Sequence, residues 1–249
     1  MSTRYLTGFH AVREALRAGT PLRFVAISRE RHDPRAQELA ALARTAGVPV
    51  RRAGAAELAH WSGGESQELH HQGVVAEAEA KAVLTLEELL ADAPQKLLLA
   101  LDGLEDPHNV GAIVRSACGA GVDGVLLPTR RSAGLTATVE RVSAGALEHV
   151  RMARIGNLVQ GLETCRQAGW WIVGLDADAP TPIWRHDFRL PTVLVIGAEG
   201  RGLHALTRKR CDALVGIPLA AGVASLNASA AAAVVLFEVV RQRRGSQPQ

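Results

Sequence analysis

Lysine is nearly missing from this chain: only Lys81, Lys96 and Lys209 stand among its 28 basic residues. The rest are arginines, whose planar fork suits bidentate contact with carboxylates and phosphates, although a genome-wide arginine bias accounts for the same count. Cysteine is scarce too. Cys118, Cys165 and Cys211 are odd in number, far apart and without a C-x-x-C pair, which argues against a disulfide framework or a cysteine zinc site and fits a reducing cytoplasm. The longest apolar run, residues 230–237, falls far short of a bilayer span, and Arg4, Arg13, Glu14 and Arg17 interrupt the N-terminus, so no membrane segment or secretory leader is expected. The glycine turn at Gly197, Gly200 and Gly202 reads G-x-x-G-x-G rather than G-x-G-x-x-G, and G-x-x-x-x-G-K-[ST] and G-x-S-x-G are absent, which disfavours a dinucleotide site, a nucleoside triphosphate site and covalent hydrolase chemistry. No metal is expected: His70 and His71, adjacent in a predicted strand, would face opposite ways, and Asp176 and Asp178 read as a polar loop.

What is present fits a globular protein, with 249 residues, 47% hydrophobic, 21% charged and 24 glycines. The net charge of +3 is mild but uneven. Residues 1–52 hold ten arginines and four acids, whereas 53–95 hold one base and eight acids. The front of the chain, with Arg29, Arg31, Arg35, Arg51 and Arg52, is therefore a candidate polyanion contact. Val/Ile/Leu bursts alternate with helical patterns, which predicts an α/β fold with a largely parallel sheet. Helices are expected near 9–18, 34–46 and 55–61, with strands at 24–28, 48–52 and 73–78, making a small domain over residues 1–78. The acidic stretch 79–95 reads as a linker or short surface helix rather than a core element. A second domain, 96–249, is expected to carry strands at 97–101, 124–127, 151–155, 171–175, 192–197 and 214–218, then a long helix at 228–243.

Three segments are candidates for chemistry. In residues 101–121, Asp106 and Pro107 signal a helix start. Val110, Ile113, Val114 and Ala117 form an apolar stripe, with His108, Gly111, Ala112 and Arg115 on the other side. Arg115 is then either an ordinary exposed arginine or a phosphate clamp over a shallow face. Asn109 sits in the first turn, where capping alone explains it. In residues 193–204 a strand runs into a turn bearing Gly197, Gly200 and Gly202, which lets the backbone approach a ligand. Glu199 there is a solvated carboxylate or an orienting group. In residues 217–244, Ser225 or Asn227 is a good N-cap for the last helix, a role that would account for either.

Taken together, DPHNVGAIVRSA, IGAEGRGL and IPLAAGVASLNASAAAAVVLFE, in that order, resemble the signature of the SpoU-type branch of the knotted SPOUT methyltransferases. GFHAVREAL at 8–16 and HHQGVVAEAE at 70–79 are similar to the start and end of the accessory domain in enzymes that methylate a guanosine ribose of large-subunit ribosomal RNA. The resemblance implies a homodimer, formed through the C-terminal domain, that transfers methyl from S-adenosylmethionine to a ribose 2′-hydroxyl. It also implies an N-terminal domain like ribosomal protein L30e that helps grip RNA, and a deep trefoil knot, which no hydrophobic pattern foretells. It matches Asn109, Arg115, Glu199, Ser225 and Asn227 to the catalytic positions, and Gly197, Ile217, Leu219 and Leu226 to the cofactor pocket. The GVASLN loop carries fewer serines than in some relatives. The same chemistry on transfer RNA or another ribosomal nucleoside is an alternative, as is a non-catalytic RNA-binding assembly factor; an oxidoreductase is a distant third.

Overall fold

The computed structural model describes residues 3–63, 71–220 and 223–245, and the chain divides into two compact units. The first comprises residues 1–82 together with 137–149, and the second comprises 83–136 and 150–249.

The first unit contains β1 (Thr3–Thr7), α1 (Phe9–Arg17), β2 (Leu22–Ser28), α2 (Pro34–Thr45), β3 (Val50–Ala53), α3 (Ala55–Ser62) and β4 (Val74–Glu79). The sheet order is β1-β4-β2-β3, with β4 antiparallel to β1 and β2, and β3 parallel to β2. Alternation along β2 feeds two cores. Val25 and Ile27 pack with Val12, Leu16 and Leu39, while Phe24 and Ala26 pack with Leu58. His70 lies outside the described residues, and His71 is buried ahead of β4 rather than in a strand as expected, because pairing starts only at Val74.

Residues 137–149, which no strand or helix prediction covered, are tied to this unit by charge. Arg4 donates to Glu140 at 2.7 Å and to both carboxylate oxygens of Glu148 at 2.8 Å, and Thr20 Oγ1 donates to Glu148 Oε2 at 2.8 Å. Burial raises the Glu140 carboxyl above the usual range, against the pull of Arg4.

In the second unit the elements are α4 (Leu86–Ala91), β5 (Leu97–Asp102), α5 (Pro107–Ala120), β6 (Gly124–Pro128), β7 (Met152–Ile155), α7 (Leu158–Gln167), β8 (Trp171–Leu175), β9 (Thr192–Gly197), α8 (Ala205–Arg210), β10 (Ala213–Val215) and α9 (Ala228–Arg244); α6 (Ala137–Val142) is the helix contributed to the first unit. Six parallel strands run in the order β10-β8-β9-β5-β6-β7. β5 is buried at every position, as its unbroken LLLALD run requires. Contrary to the surface role expected for 79–95, Leu86 and Leu89 of α4 belong to this core. The last strand stops at Val215, short of the predicted 218, where the chain leaves the sheet toward Pro218. No helix among the described residues is long and apolar enough to cross a membrane.

Candidate functional site

The sheet order reverses direction between β5 and β9, and crevices at the carboxyl ends of strands beside such a switch are where α/β folds bind ligands. A cavity of about 290 Å³ opens beside this point. Its walls come from the ends of β8 and β9 and from the segments leading into α9, and all four expected cofactor positions, Gly197, Ile217, Leu219 and Leu226, line it, as does Ser225. Asp176 and Asp178, read as a plain polar loop, line it too. Only the pairing of β8 with β9 and β10, invisible in the local pattern, brings them there.

The lining carries three carboxylates, Asp176, Asp178 and Glu199, and no Lys, Arg or His among the described residues. Arg208 donates to Asp176 at 2.7 Å, while no partner is seen for Asp178 Oδ atoms among the described residues. A pocket so charged disfavours phosphates and suits a cation with an apolar body.

Gly197 owes its identity to the turn that follows. A Cβ there would stand 2.2 Å from the Gly202 carbonyl carbon, because residues 198 and 202 exchange backbone hydrogen bonds at 3.2 and 2.8 Å and fold the turn back on the strand end. The turn presents Glu199 outward.

Three expected site residues from three segments meet at Asn227. Its Nδ2 donates to Asn109 Oδ1 and to Glu199 Oε2, both at 2.9 Å. Its Oδ1 caps α9 by accepting from the backbone N–H groups of Ser229 and Ala230, and it also accepts from Ser229 Oγ at 2.6 Å. Both amide protons and the carbonyl are thus engaged, so Asn227 is a hub rather than a free acid or base. Asn109 is buried in the first turn of α5, which Asp106 caps as predicted.

Arg115 stands exposed on α5, outside this cluster, with no hydrogen bond or ion pair among the described residues. The apolar stripe of α5 is fully buried as expected, but Gly111, assigned to the outer face, is buried as well. In the first unit, Arg51 stacks on Phe24 at 4.1 Å and Arg35 on Phe9 at 5.5 Å, and both stay exposed. Arg29 makes a loose 3.6 Å pair with Glu57. Arg31 and Arg52 are more committed, Arg31 to Asp33 and the Gln72 carbonyl, and Arg52 to the carbonyls of Ser28 and Arg31.

Residues 96–237 match the family model described as SpoU rRNA Methylase family, and residues 5–84 match one described as RNA 2'-O ribose methyltransferase substrate binding. The chain is 45% identical over 242 residues to a Pseudomonas aeruginosa protein named 23S rRNA (guanosine-2'-O-)-methyltransferase RlmB, with 95% of each covered. A protein of the same name from Ralstonia nicotianae is 43% identical over 245 residues, 97% of this chain and 96% of that one. Among solved structures, the SpoU methyltransferase AviRb from Streptomyces viridochromogenes in complex with AdoMet aligns with a TM-score of 0.80 at 29% identity, over 98% of this chain and 91% of that one. With its second and third signature blocks lining one crevice, the first joined to them through Asn227, and 95–97% of its length matched by such relatives, this chain belongs to the SpoU rRNA methylase family.

Proposed function

We propose that this protein transfers a methyl group from S-adenosylmethionine to the ribose 2′-hydroxyl of a guanosine in 23S ribosomal RNA. The observation that carries the proposal is the acidic, base-free cavity joined through Glu199 to the Asn109–Asn227 hub. The cavity fits the cofactor: Gly197, Ile217, Leu219 and Leu226 offer backbone and aliphatic walls to an adenosine, and Asp178 and Glu199 offer carboxylates to a cation. The RNA and the base are those in the names of the RlmB relatives.

When bound, S-adenosylmethionine supplies a methyl on a positively charged sulfur, which makes the transfer favourable and leaves alignment as the main task. The residues here are built for alignment, whose contribution reaches about 7–11 kcal/mol in well-oriented reactions. Asn227 holds Glu199 by one carboxylate oxygen, which leaves Oε1 to accept the proton of the ribose hydroxyl. Asn109, fixed through Oδ1, keeps its amide protons for the sugar. Ser225 stands on the cavity wall, with a hydroxyl able to donate to the substrate. A guanidinium donates hydrogen bonds and accepts none, so Arg115 serves as a clamp on an RNA phosphate that also stabilises developing negative charge, not as a base.

The first unit, L30e-like in this reading, grips RNA with its exposed Arg29, Arg35 and Arg51, helped by Arg31 and Arg52. The second carries the trefoil knot. The protein works as a homodimer in the cytoplasm. Ala230, Val234 and Phe237, spaced i, i+4 and i+7 on α9, are exposed, Phe237 at 50%, which supports burial of this stripe against a second copy. The test is calorimetry with S-adenosylmethionine, followed by methyl transfer to a 23S transcript and mapping of the 2′-O-methyl mark. No uptake of the cofactor by folded protein would sink the proposal.

A further inference from the structure

The turn that carries Glu199 enters from β9, where Gly197 lies opposite Asp102 in the ladder with β5. Its exit is held by the same carboxylate. The backbone N–H of His204 donates to Asp102 Oδ2 at 2.8 Å, and His204 Nδ1 lies 2.9 Å from Oδ1. Asp102 is buried and already accepts from the His204 backbone, and an Nδ1–H tautomer lets the same carboxylate accept from the ring as well. Nε2 is buried without a hydrogen-bond partner among the described residues, so the ring's polar contribution runs through Nδ1 alone. The ring packs over Gly103, where a Cβ would stand 2.5 Å from Cε1 and φ is +71°, and glycine is the residue that meets both demands.

Asp102 therefore stands at the root of two segments. One continues through Gly103 to the cap of α5 and Asn109, and the other is the Glu199 turn, closed onto Asp102 by His204. Their tips are the two side chains that Asn227 bridges. We infer that His204 is a positioning residue: by chelating Asp102 with its ring and backbone it locks the Glu199 turn to the root of the Asn109 turn, fixing the separation that the hub spans. This rests on the methyl-transfer reading above for its link to turnover, and on geometry alone for the latch.

Asparagine places its amide nitrogen where histidine has Nδ1, whereas glutamine reaches toward Nε2, so the full-length variants His204→Asn, His204→Gln and His204→Leu separate the ring's hydrogen bond from its bulk. In His204→Leu and His204→Gln, amide exchange over residues 198–204 should quicken by about tenfold as the turn opens locally. The single-turnover methylation rate at saturating cofactor and RNA should fall by about 10- to 100-fold, with KM for RNA within about threefold of wild type. His204→Asn should return both to within about threefold of wild type, and ring ¹⁵N shifts of the wild type should place the proton on Nδ1. A merely structural role would make the rate follow the folded fraction, with no rescue that distinguishes asparagine from glutamine. Unchanged exchange in His204→Leu, or equal behaviour of the Asn and Gln variants, overturns the latch; quickened exchange with an unchanged rate overturns its part in turnover. If His204→Leu does not fold, the Asn and Gln pair decides. Quickened exchange in a protein whose wild type takes up no S-adenosylmethionine would support the latch and refute the methyl-transfer reading.

Discussion

Asn227 performs two tasks with two ends of one amide, and Asn227→Asp separates them. The replacement keeps an oxygen that accepts from Ser229 and Ala230, so the α9 cap survives, and a carboxylate at a helix N-terminus is favourable by about 0.3–1 kcal/mol. The other end loses its donor. A hydrogen bond to Asn109 is worth about 1 kcal/mol and one to an ionised Glu199 about 1.5–3 kcal/mol, each less where water competes. Two carboxylate oxygens are also brought together where 2.9 Å now separates donor from acceptor, and with both side chains exposed the repulsion is screened to about 1 kcal/mol. With the two hydrogen-bond losses about halved by solvent exposure, the expected net loss of stability is about 1–3 kcal/mol by urea unfolding, too little to unfold an ordinary domain. The rate should suffer far more, because Glu199 swings away from its place; a fall of about 100-fold in single-turnover methylation is expected, with cofactor affinity changed less. Asn227→Ser, which keeps a cap but adds no charge, should fall between. An Asn227→Asp protein that methylates RNA at the wild-type rate would refute the hub.

Gly197→Ala drives a methyl group against the Gly202 backbone, so the turn must shift and cofactor affinity by calorimetry should drop by about tenfold or more; an unchanged affinity refutes the close approach. Arg243 donates to the carbonyls of Gln95, Lys96, Phe188 and Leu190, and Arg243→Met should cost about 2–3 kcal/mol in urea unfolding while leaving the single-turnover rate of folded protein intact. Burial pushes the thiols of Cys165 and Cys211 up to about 12. With the thiolate disfavoured, only about 10⁻⁴ of each is ionised at pH 8, against about a quarter of an ordinary thiol, so native iodoacetamide labelling should be slower by about 10³-fold. The sign is fixed by the upward shift: the stabilisation is present below the unfolded thiol range and is lost as pH rises toward 12. Labelling at the free-thiol rate, read by mass spectrometry, contradicts that burial.

The parts of the fold that were legible are those that sequence periodicity controls. LLLALD reads as a buried strand because every side chain in it is apolar or chain-terminal to the strand, and Asp106-Pro107 announces α5 by cap chemistry. β1 was missed because Thr3–Thr7 buries only Leu6 and owes its strand character to β4, some seventy residues away. Leu86 and Leu89 were obscured by the acids around them, which face away from the core those leucines enter. At the site, Asn227, Glu199 and Asn109 were each singled out, but cap and loop explanations were equally open until the shared amide nitrogen joined them. Asp102 and His204 carried no local signal at all, since their bond spans 102 positions and depends on the ladder between β5 and β9.

Because residues 137–149 belong with the first unit, the polypeptide passes between the two units three times instead of once. During vectorial synthesis the opening 82 residues leave the ribosome with Arg4 and Thr20 lacking the acidic partners that later close over them. The residues that complete this unit's ion pairs are synthesised only after the whole of β5 and β6. The same threading means that a cut placed near residue 80 would strand Glu140 and Glu148 without their guanidinium, and would yield two incomplete pieces in place of two modules.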